Sequence, residues 1–191
     1  MRNLRLVLSL VLVFFATTLT FAEDFEKDFG GGRRIDLWTA GNMPNSRNLT
    51  LKDSVRNHRT WQIGMPRMYA FQPCSDNRTK TAIVLIPGGG YAKQAYEAAG
   101  ITMAQWLNSI GITAFVLLHR LPTSPDLVEP EKAPMQDAQR AVRYVRAHAA
   151  EYGVEKIGVM GCSAGGHVSA CVSTIKDDMS AVGDSLDGYS F

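Results

Sequence analysis

Cysteine is scarce in this chain, and what there is does not repeat. Cys74, Cys162 and Cys171 form no Cys-x-x-Cys pair and no Cys/His spacing, so neither a disulfide framework nor a zinc site is indicated. No G-x-G-x-x-G and no G-x-x-x-x-G-K-[ST] occurs, which removes the usual dinucleotide and triphosphate cradles. No metal and no cofactor is therefore expected. There is also no internal repeat, low-complexity tract or second-domain linker.

A charge of one sign is the next absence. Arg2 and Arg5 precede an uncharged, largely apolar run from Leu6 to Phe21, which ends in Thr20-Phe21-Ala22 before Glu23-Asp24. This reads as a secretory signal peptide over residues 1–22, and the protein is expected to be secreted or periplasmic. An uncleaved anchor fits less well, because the strongly apolar stretch is short for a bilayer span. Without those residues, 18 Lys and Arg face 18 Asp and Glu. Such a neutral surface gives no reason to expect nucleic acid, or a membrane after signal cleavage, as partner.

What is present becomes regular only with distance along the chain. Residues 23–36 contain Gly30-Gly31-Gly32 among mixed charges and are expected to be a flexible lead-in. From Ile35 to Thr79 the apolar groups are short and separated by Pro44, Asn45, Pro66 and Pro73, as in short strands of an antiparallel edge. Thr81 to Ile86 is a continuous apolar run, bounded by Pro87-Gly88-Gly89-Gly90, of the kind that forms a strand buried on both faces. Met103, Trp106, Leu107 and Ile110 then recur at helical spacing before Gly111, and Ile112 to Leu118 is a second run. This is a β-α-β unit.

Three prolines keep Leu121 to Ala133 irregular, and Pro134 opens a helix with Ala138, Ala141, Val142, Val145 and Ala149 on one face. Arg140, Arg143 and Arg146 lie off that face and are expected to form its solvated side rather than a phosphate site. The third strand, Lys156 to Met160, runs into Gly161-Cys162-Ser163-Ala164-Gly165-Gly166, and Val168, Cys171 and Val172 follow at helical spacing. Cys162 and Cys171 are expected to be buried small side chains. Alternation of strand and helix predicts a three-layer α/β architecture around a mostly parallel sheet, occupying residues 37–191.

The chemistry concentrates at Ser163. A nucleophilic serine must project from a strained reversal between a central strand and a helix, with small residues two before and two after it. Gly161 and Gly165 hold those positions, giving the G-x-S-x-G elbow in its required setting. A tetrahedral intermediate needs backbone N–H donors. Ala164, at the start of the helix, can supply one, and the loop at Gly88-Gly89-Gly90-Tyr91 lies where the others are needed. A nucleotide-binding turn at Gly161 is the rival, but its glycine pattern is incomplete and it would follow the wrong strand.

Pro87-Gly88-Gly89-Gly90-Tyr91, the helix at Tyr144-Val145-Arg146 and Gly161-Cys162-Ser163-Ala164-Gly165-Gly166-His167 together resemble the bacterial α/β-hydrolases of the esterase/lipase and acetylxylan-esterase group. The likeness covers roughly Leu37 to Val172. Pro87 stands where many relatives carry histidine. The resemblance implies an α/β-hydrolase fold and an esterase acting on short acyl groups of a small-molecule or polysaccharide ester, including acetyl groups on plant polysaccharide. It implies Ser163 as nucleophile, the amides of Gly89, Gly90 and Ala164 as oxyanion donors, and His167 as a supporting helix residue.

The acid and base of a Ser-Asp-His triad should come later in the chain than the serine. Only 28 residues follow Ser163, and His167 is the one histidine among them. Asp177, Asp178, Asp184 and Asp187 lie in a polar segment with no apolar strand beside them. His167 as base is disfavoured because the elbow points the serine oxygen away from its helix. Of His58, His119 and His148, only His119, at a strand end, is a candidate neighbour of the site. The second half of the sheet is thus expected to be missing, with the acid and base beyond Phe191. Two readings stay open, an amino-terminal portion of a secreted serine esterase and a truncated, non-catalytic homologue. On either, the chain alone is expected to turn over little short-chain aryl acetate.

Overall fold

The computed structural model describes residues 25–191; the signal peptide expected over residues 1–22 lies outside them. Contacts divide the chain into a unit ending at Gly30 and a unit from Gly31 to Phe191. Of the first, the described part is one helical turn, α1 (Phe25–Asp28), with the rings of Phe25 and Phe29 edge to face at 5.6 Å. No helix among the described residues is long and apolar enough to cross a membrane.

The second unit is built on a five-stranded sheet in the order β1-β4-β6-β5-β7. These strands are Arg33–Asp36 (β1), Arg67–Phe71 (β4), Thr113–Leu118 (β6), Thr81–Ile86 (β5) and Lys156–Gly161 (β7). β4 alone runs against its neighbours, and β6, β5 and β7 are parallel. The expected mostly parallel sheet with an antiparallel edge is therefore present. β1 corrects the lead-in: Arg33 to Asp36 pair with Arg67 to Ala70, because Ile35 alternates inward onto the core while charged neighbours face out.

A hairpin escaped the sequence reading. β2 (Ser54–Arg56) and β3 (Arg59–Gln62) are joined by Asn57 and His58 at φ 51° and 53°, the two positive angles a type I′ turn requires. Asn57 was the available signal. Thr60 of β3 exchanges backbone hydrogen bonds with Gln94, which sets the hairpin beside the loop that follows β5.

Helices cover both faces, as the alternation of strand and helix predicts. Ala82, Val84, Ile86, Phe115 and Leu117 form one core with Ala138, Ala141, Val142 and Val145 of α3 (Ala133–Ala147) and with Val168 and Val172 of α5 (Ala164–Thr174). On the other face lies α2 (Thr102–Ser109), preceded by a wide turn at Glu97–Ile101. Its buried residues are Ala104 and Leu107, continued by Ile101 of the wide turn, so the expected apolar stripe is turned by one position. Trp106 and Ile110 are exposed. Trp106 and Met103 join Met160 around an apolar hollow of about 480 Å³.

The Arg triplet is the largest correction. Arg140 and Arg143 are buried and only Arg146 faces solvent. The segment after α5 folds back over α3, so that Arg140 forks onto Asp184 and Arg143 onto Asp178 (Nη1–Oδ1 2.9 Å), with Asp187 3.7 Å from both. Gln139 ties the same segment through the carbonyl of Asp177 and the amide of Met179. These partners are 35 and 44 residues from their arginines, which no local pattern reports. α4 (Ala149–Tyr152) completes the helix to Gly153, the expected end.

A second ion pair is fully sealed. Arg120, just past β6, meets Asp137 of α3 at 2.8 Å, and both side chains are essentially inaccessible. Asp137 also accepts from the Arg120 amide at 2.7 Å and from Trp38 Nε1 at 2.9 Å, and Arg120 donates to the Pro44 carbonyl. Every oxygen is used, which is what makes such burial tolerable.

Two outcomes follow from these pairs. Asp137→Ala strands a buried guanidinium and should lower unfolding free energy by about 3–5 kcal/mol in a urea titration. The guanidinium of Arg143 beside Asp178, and of Arg140 beside Asp184, holds each carboxyl below its usual range. The unfolded chain then takes up protons first as pH falls. Stability from these pairs is full above about pH 4 and is lost as pH drops through the lowered folded values. Urea midpoints measured from pH 7 to pH 2 should show that acid slope, and the double variant Asp178→Asn/Asp184→Asn should flatten it.

Candidate active site

Ser163 sits where β7 gives way to α5, at φ 53° and ψ −121°. A non-glycine residue held there stores about 1–3 kcal/mol of strain, which the packing around it must offset. That packing is close. A Cβ at Gly161 would lie 2.2 Å from the Gly165 carbonyl oxygen, and one at Gly165 would lie 1.9 Å from that of Ile86. Both positions expected to be small are thus closed to any other residue by backbone. β7 pairs with β5 alone among the described residues, so the expected central strand stands here at a sheet edge.

The glycine loop meets the elbow directly. A Cβ on Gly88 would fall 2.2 Å from the Cys162 carbonyl oxygen and 3.1 Å from Ser163 Cβ. Gly89 and Gly90 follow at φ 156° and 64° and Tyr91 at φ 61°. The loop is closed by amides of Ala92 and Lys93 on the Gly89 carbonyl and of Ala95 on the Gly88 carbonyl. No hydrogen bond from the amide of Gly89, Gly90 or Ala164 to a protein acceptor is found among the described residues. The two halves expected from the sequence, loop and elbow, are therefore brought together.

The histidines separate. His119 is sealed behind β6, 2% exposed, with Nδ1 2.7 Å from the Arg120 carbonyl; burial pushes its pKa down and keeps it neutral. It is a core group. His148 bonds the Tyr144 carbonyl within its own helix, and His58, in the hairpin turn, lies 3.8 Å from Glu97. His167 is in the first turn of α5, its amide on the Ser163 carbonyl at 3.0 Å and its Nδ1 2.7 Å from Tyr91 Oη. The carboxylates of Asp178, Asp184 and Asp187 are used by the clamp on α3, to which Asp177 contributes its backbone carbonyl. No side chain among the described residues hydrogen-bonds Ser163 Oγ. Nor do three His, Cys, Asp or Glu side chains converge as a metal would need.

Cys162 is exposed and Cys171 half-buried, Sγ 3.8 Å from His167 Nε2, so neither is the buried apolar filler expected. Cys162 projects at the open edge, where no described element covers it. The residue missed by sequence reasoning is Tyr91. Its place after three glycines was visible, but its contact 76 residues away was not.

The likeness to known proteins now has a geometry to rest on. Residues 68–189 match the family model BD-FAE. The chain is 36% identical over 114 residues to an acetylxylan esterase of Xylanibacter ruminicola, covering 59% of this chain and 22% of that protein. It is 31% identical over 117 residues to endo-1,4-beta-xylanase B of Butyrivibrio fibrisolvens, covering 60% and 18%. Among solved structures, an acetyl ester-xyloside bifunctional hydrolase of Caldicellulosiruptor lactoaceticus superposes with a TM-score of 0.59 at 32% identity, over 83% of this chain and 53% of that one. Esterase Est2 of Thermogutta terrifontis shares the fold with a TM-score of 0.59 at 23% identity, over 85% and 50%. The chain spans about a fifth of the curated relatives and about half of the solved ones. On the extent of the family match and the shared α/β-hydrolase fold, the chain belongs to the BD-FAE family.

Proposed function

We propose that Ser163 is the nucleophile of a carboxylic-ester hydrolase working through an acyl-enzyme, with short acyl groups, acetyl above all, as its substrates. The observation that carries this is the strained Ser163 backbone held between β7 and α5 with the Gly88 loop packed against it. An alkoxide attacking an ester carbonyl creates a negative oxygen, and amides without protein acceptors at Gly89, Gly90 and Ala164 are suited to receive it. The relatives named for acetylxylan and acetyl ester-xyloside hydrolysis support acetylated plant polysaccharide as the natural ester. The apolar leader at residues 6–21 fits export toward such a substrate.

An unassisted serine is a weak nucleophile, so a base and an orienting acid belong to the same proposal. The described histidines are occupied or sealed, as given above. The match reaches 53% of the bifunctional hydrolase, and we assign base and acid to the part of the fold that it does not reach.

The test uses this chain together with any coding sequence continuous with it, and follows 4-nitrophenyl acetate and acetylated xylan. Ser163→Ala should reduce acetate release at least about a thousandfold with the fold intact. Equal turnover by Ser163→Ala, or no ester hydrolysis by the parent, sinks the reading. Gly88→Ala should force the loop off the Cys162 carbonyl, lowering kcat and costing about 1–3 kcal/mol in thermal or urea unfolding.

A further inference from the structure

The oxyanion loop has a structural weakness. Gly88 is wedged against the Cys162 carbonyl, but Gly89 and Gly90 offer no side chain to hold, the backbone bonds from Ala92, Lys93 and Ala95 close the loop upon itself, and its tie to the hairpin comes later, at Gln94 on Thr60. Tyr91 is the first residue after the glycines able to reach another element. It does so toward the helix that begins at the serine: Tyr91 Oη lies 2.7 Å from His167 Nδ1, and the two rings meet edge to face at 6.0 Å. The His167 amide in turn donates to the Ser163 carbonyl.

We propose that Tyr91 and His167 are positioning residues, a latch that holds the Gly89–Gly90 amides in register with Ser163. The proposal rests on the serine-esterase reading and deepens it. Burial raises the Tyr91 pKa, so the phenol keeps its proton; in the proposed latch it donates that proton to His167 Nδ1, which leaves the imidazole with its own proton on Nε2. Cys171 Sγ lies 3.9 Å from Nδ1 and 3.8 Å from Nε2, so it does not select between the tautomers and leaves that choice to Tyr91. Tyr91 also holds φ 61°, a strained angle for an aromatic residue, and the hydrogen bond with the ring contact offsets that strain. A slack latch would leave ester binding intact, since acyl and alcohol groups do not depend on it. It would misplace the donors only when the oxygen becomes charged. The signature is a loss in kcat without a change in KM.

The experiment pairs kinetics with imidazole ¹⁵N NMR on the same preparations. Tyr91→Phe should lower kcat about tenfold with KM within twofold of the parent, and should abolish the fixed Nε2–H tautomer that the parent shows at His167. His167→Leu should match Tyr91→Phe, whereas His167→Gln, which keeps an acceptor, should recover part of kcat. This pair of variants carries the test if Tyr91→Phe fails to fold. An Nδ1–H tautomer in the parent, or unchanged kcat in Tyr91→Phe and His167→Leu, overturns the latch. If Ser163→Ala abolishes hydrolysis while those variants are fully active, the latch alone falls; if Ser163→Ala stays active, the serine reading falls and the latch with it.

Discussion

Three stretches of backbone meet at the end of β5 with no room for a single added carbon, and the rest of the site depends on that closeness. The carbonyl of Ile86 sits under Gly165, the carbonyl of Cys162 sits against Gly88, and the carbonyl of Gly165 sits against Gly161. Pairing of Ile86 with Gly161 in the β5–β7 ladder brings the strand ends level. Only then can the turn at Ser163 reverse tightly enough to lift its side chain, and only then does the loop after β5 lie alongside the turn. Glycine at these positions is a matter of van der Waals exclusion as much as of permitted torsion.

Such a strained junction has to be anchored by something less strained. β5 and β6 are apolar throughout after an initial threonine, and α3 presses Ala138, Ala141 and Val145 onto them. The polar devices act between elements distant in sequence. Arg120 and Asp137 tie the end of β6 to the start of α3 and reach Trp38 and Pro44. Arg140 and Arg143 tie the segment after α5 back onto α3. Since charges out of water stabilise only with their partners in place, these bonds also specify which arrangement is adopted.

Much of the architecture was legible because its signals are local. The apolar runs of β5 and β6, the helical period of α3 and the glycines flanking Ser163 each report on their immediate neighbours. The hairpin at Asn57-His58 had a local signal too, but a weak one. The reading failed where the deciding partner is remote. Arg140 and Arg143 look like a solvated face until a later segment folds over them; Trp106 and Ile110 look buried until the register of α2 against β6 is known. Cys162, by the same token, is exposed because β7 has β5 alone beside it among the described residues.

The site divides along the same line. Sequence by itself determined the identity of the serine, the smallness of the residues flanking it and the glycine run expected to face it, because backbone sterics act within a few residues. Tertiary structure decided that Gly88 touches Ser163, that His119 is sealed away from it and that Tyr91 reaches His167. Those outcomes depend on distances between residues 44 to 76 positions apart, which are set by strand register and helix packing rather than by any local pattern.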